Sequence, residues 1–86
     1  MIVDNRFEVI VINDGDNYGK NNVLTHDRKD QLVEFWDTKH DQFVSRYYKS
    51  TLLECGSGGL ALQGDVPEWT VSSEGMNEVK IMLGEL

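Results

Sequence analysis

Asp41-Gln42-Phe43-Val44-Ser45-Arg46-Tyr47-Tyr48-Lys49-Ser50-Thr51-Leu52-Leu53-Glu54-Cys55 decides how the rest of the chain is read. Its apolar residues stand at 43, 44, 47, 48, 52, 53 and 55, the rows of one helical stripe, while Arg46, Lys49, Ser50 and Glu54 occupy the other side. The spacing predicts an amphipathic helix over 41–55, with Asp41 as its N-cap and Gly56 as the left-handed residue that ends it. Such a helix needs a sheet to bury its stripe. Tyr47 and Tyr48 would supply much of the buried area and keep a hydroxyl for a polar partner.

Upstream, Arg6-Phe7-Glu8-Val9-Ile10-Val11-Ile12 alternates and is rich in β-branched residues, which predicts a strand. Asn13 to Gly19 is a loop by its turn residues, Asn22 to His26 a short second strand, and Asp27 to Asp30 a charged turn. Leu32-Val33-Glu34-Phe35-Trp36-Asp37 reads as a strand, and the same run also fits a helix. Downstream, Gly56-Ser57-Gly58-Gly59 is a connector, Leu60-Ala61-Leu62 a brief strand, Gly64 a turn, and Val66 to Val71 an extended segment around Pro67. Ser72 opens the last helix: Val71 and Met76 stand at the two positions of a hydrophobic staple, and Glu74 lies in the first turn, where the helix dipole favours it. Met76, Val79, Met82, Leu83 and Leu86 form its apolar stripe. The expected fold is α+β, a small, mainly antiparallel sheet of three to four strands with two helices packed on one face.

Eighty-six residues, 40% of them hydrophobic and 27% charged, make one globular domain over 1–86, with room for a binding face but little for a deep enzyme cleft. A single cysteine excludes an intramolecular disulfide, and the apolar runs are too short for a signal peptide core or a membrane span. A reducing cytoplasm is the expected location. The net charge of −7 argues against direct nucleic-acid binding, which needs clustered Lys and Arg, and suits a basic protein partner.

Three motifs fail on inspection. Asp14-Gly15-Asp16-Asn17-Tyr18-Gly19 opens like a calcium loop, but Tyr18 stands at its fifth position and Thr25 at its twelfth, where a ligand and a bidentate carboxylate belong. Gly56, Gly58 and Ala61 have the spacing of a dinucleotide fingerprint, but they follow a helix and enter a strand, the reverse of what phosphate binding needs. Cys55 lies at a helix C-terminus, where the dipole disfavours a thiolate, and neither His26 nor His40 is tied to it by local sequence. It reads as structural, and two histidines and one cysteine make a poor zinc set. No catalytic residue, metal or cofactor is expected.

Two features remain for partner binding. Phe35 and Trp36 are adjacent, so on a strand they face opposite sides, and Trp36 is the one expected off the core, available to a partner. Trp69 is expected in the core. Between Lys49 and Lys80 the chain carries Glu54, Asp65, Glu68, Glu74 and Glu78 and no basic residue. Asp65, Glu68, Glu74 and Glu78 surround the start of the last helix and read either as a solvated surface or as the acidic part of an interface with a basic protein.

The runs Gln42 to Tyr48, Ser50 to Leu53, Gly59-Leu60 with Leu62, and Val66 to Val71 resemble an uncharacterised family of small proteins carried on plasmids and integrated elements, often near antirestriction genes. The resemblance covers roughly residues 33–83 and rests on packing residues, so it implies no functional residues. It implies a setting, a mobile genetic element, where small acidic proteins often block host nucleases. The expectation is a non-enzymatic interaction protein that inhibits a basic, nucleic-acid-handling defence protein, such as a nuclease or CRISPR effector, as an anti-CRISPR-like or antirestriction inhibitor would. The alternative is a dimerising adaptor or subunit with no inhibitory role; monomer and homodimer both fit the sequence.

Overall fold

The computed structural model describes residues 1–12, 31–62 and 67–84. The expected loop at 13–19, strand at 22–26, charged turn at 27–30, turn at Gly64 and the calcium-like motif lie outside those residues, as do His26, Asp65, Val66 and Leu86. The fold is α+β. Four strands, β1 (Ile2–Val3), β2 (Phe7–Ile12), β3 (Leu32–Asp37) and β4 (Gln42–Tyr48), form an antiparallel sheet in that order. A short helix, α1 (Lys49–Glu54), follows β4 directly. Then β5 (Leu60–Ala61) pairs antiparallel with β6 (Thr70–Val71) in a second, two-stranded sheet, and α2 (Ser73–Met82) closes the chain.

The register of the main sheet sorts its side chains into two faces. Phe7 lies opposite Asp37, Val9 opposite Phe35 and Val11 opposite Val33, which puts all six on the inner face. There Phe7, Val9, Val33 and Phe35 join Val3, Val44, Leu52 of α1, and Met76 and Val79 of α2 in one buried cluster. Both helices therefore supply the same layer. The other face carries Ile2, Glu8, Ile10, Glu34 and Trp36, and at its β4 edge Phe43 and Arg46.

The expected helix over 41–55 is corrected: Gln42–Tyr48 is a strand, and only Lys49–Glu54 is helical. The apolar doublets that imitate a helical stripe have two causes. Both faces of β4 are apolar, and a bulge interrupts its two-residue period. Ser45 lies opposite Phe35 and Phe43 opposite Trp36, so Val44 is the extra residue, and it is fully buried. Aromatic and β-branched residues in turn favour the pleated surface. Asp41 is no N-cap. It stands at φ 50 in the turn from β3 to β4, where Asp tolerates the left-handed region. Tyr48 precedes α1 without capping it by its side chain, and Cys55, not a left-handed Gly56, ends it.

Two further expectations need adjustment. Pro67–Trp69 is a single 3-10 turn, not extended chain, with proline at the first position, where its missing N–H costs nothing. In α2 the inner residues are Gly75, Met76, Val79 and Leu83, while Met82 faces solvent. Ser72 does cap α2, its hydroxyl accepting from Gly75 N at 3.0 Å.

The N-terminal hairpin, unassigned from sequence, turns at Asp4 and Asn5, both at positive φ (54 and 55), the mirror-image turn that suits a twisted hairpin. Asp4 then reaches α2, its carboxylate accepting from Ser72 N and Ser72 Oγ, each at 2.6 Å. Among the described residues no helix is long and apolar enough to cross a membrane.

Candidate interaction surfaces

Carboxylates divide this molecule into a neutralised part and an acidic part. At one end of the main sheet, Asp37 is wholly buried and receives five donors. Arg6 grips it with Nε at 3.1 Å and a terminal guanidinium nitrogen at 2.9 Å; Lys39 N donates at 3.0 Å, Trp69 Nε1 at 3.1 Å, and His40 Nδ1 lies 2.8 Å away. The Arg6 guanidinium, with help from His40, Trp69 and the Lys39 amide, holds the Asp37 carboxyl well below the usual carboxylate range despite its burial. Asp37 in turn raises the pKa of Arg6. This cluster joins the β1–β2 turn, the β3–β4 turn and the 3-10 turn. Trp69 thereby packs against the core with its indole N–H satisfied.

The outer face of the sheet has a second internal pair at its centre. Glu34, only 8% exposed, accepts Arg46 Nε at 2.8 Å and a terminal Arg46 nitrogen at 2.6 Å on one oxygen, and Trp36 Nε1 at 3.1 Å on the other. Trp36 and Phe43 meet edge to face at 5.5 Å, and the Arg46 guanidinium lies 5.5 Å from the Phe43 ring centre. The chain's first amino group lies 3.1 Å from Glu8 Oε2 on the same face. Around these paired charges Ile2, Ile10 and Phe43 are exposed by 49%, 40% and 38%. Trp36 is half-buried here, off the core, while Phe35 is fully buried on the inner side.

The acidic residues named from sequence separate. Asp65 lies outside the described residues. Glu68 is exposed but turned toward Arg6, 3.6 Å from its guanidinium. Glu74 and Glu78 are exposed and one helical turn apart on α2, and among the described residues neither forms an ion pair. Ile81 and Met82 are exposed on the next turn. Lys80 is directed elsewhere, its ammonium donating to the carbonyls of Cys55 and Gly56. Cys55 itself is half-buried, its thiol 3.4 Å from Thr51 O.

Sequence reading missed both internal pairs. Arg6 and Asp37 are 31 residues apart, with no local signal joining them. Glu34 and Trp36 stand two apart on one strand, and that spacing alone places them on one face once β3 is read as a strand. Among the described residues, no group of three or more His, Cys, Asp or Glu is placed to hold a metal ion. No family model matches the chain, nor does any curated protein or solved structure.

Proposed function

We propose that this chain is a non-enzymatic interaction protein that binds a basic, nucleic-acid-handling protein and blocks it, in the manner of an anti-defence inhibitor carried by a mobile genetic element. The observation that supports this reading is where the uncompensated negative charge lies. Asp4, Glu8, Glu34 and Asp37 are all engaged inside the molecule, whereas Glu74 and Glu78 are exposed on α2 and, among the described residues, form no ion pair. In a chain of net charge −7, these two exposed carboxylates on one helix would help steer a basic surface toward it and speed encounter. The resemblance to plasmid-borne proteins near antirestriction genes supplies the inhibitory setting.

The test starts by recovering the partner from the native host with tagged protein, then measures association rates against ionic strength. Changing Asp65 to Asn and Glu68, Glu74 and Glu78 to Gln together removes several exposed pairs, each worth about 0.2–1 kcal/mol, so the joint variant is the informative one. Association should slow, and its salt dependence should flatten. A folded joint variant that binds as fast as the parent, with the same salt slope, refutes the acidic interface and favours an adaptor or subunit with an apolar contact.

A further inference from the structure

We draw no further inference here: the strongest candidate, the exposed patch of Ile2, Ile10 and Phe43 on the outer face of the main sheet, carries none because nothing in the structure shows what covers it.

Discussion

Removing Arg46 from Glu34 tests the outer face at its centre. In Arg46→Met a carboxylate that is 8% exposed keeps, among the described residues, the Trp36 indole as its one donor. Breaking a fully buried pair from one side costs about 3–5 kcal/mol, and an exposed pair is worth about 0.2–1 kcal/mol. Glu34 is buried while the Arg46 side chain is 37% exposed, so the expected loss lies between, at about 1.5–3 kcal/mol. For a domain this size that lowers Tm by about 10–20 °C. The decisive comparison is Glu34→Gln/Arg46→Met. Glutamine retains an oxygen for the indole but carries no charge, so the double variant should regain about 1 kcal/mol or more over Arg46→Met alone. Urea titrations at low protein concentration measure all of these. A double variant no more stable than Arg46→Met shows that the carboxylate was never desolvated, and the reasoning fails.

Two other outcomes follow from particular contacts. Asp37 has a folded pKa below its unfolded one, so its contribution is complete above about pH 4 and is lost as pH falls through the folded value. The urea midpoint should therefore fall steeply on acidification below about pH 4, and Asp37→Asn should flatten that slope while lowering stability at neutral pH. Gly75→Ala reverses the usual helix rule. An added Cβ would lie 2.8 Å from both Asp4 Oδ1 and Val71 Cγ1, so the variant should melt below the parent despite a propensity gain of about 1 kcal/mol, and a higher Tm would refute this packing.

Sequence pattern revealed what local rules govern. β2 alternates, Ser72 carries a capping hydroxyl, and Leu60 and Ala61 are a short strand. The pattern misled at 42–48, because a strand that is apolar on both faces and bulged at Val44 has lost the alternation that distinguishes it from a helix. It was silent at Asp4 and Asn5, although both types favour positive φ, because the two-residue strand before them is too short to show a period. The candidate surfaces divide in the same way. Adjacency alone put one of Phe35 and Trp36 off the core, whereas the pairing of Glu34 with Arg46 depends on β4 lying alongside β3, a tertiary contact.

The bond from Asp4 to the start of α2 joins residues 68 apart in sequence. Bringing such distant residues together costs about 4 kcal/mol of loop-closure entropy before any contact rewards it. The β2–β3 and β3–β4 pairings close shorter loops than this contact, so they can form before α2 docks against the β1–β2 turn. A chain cut before Ser72 would lose both the partner of Asp4 and the Met76 and Val79 side chains that cover the inner face of the sheet.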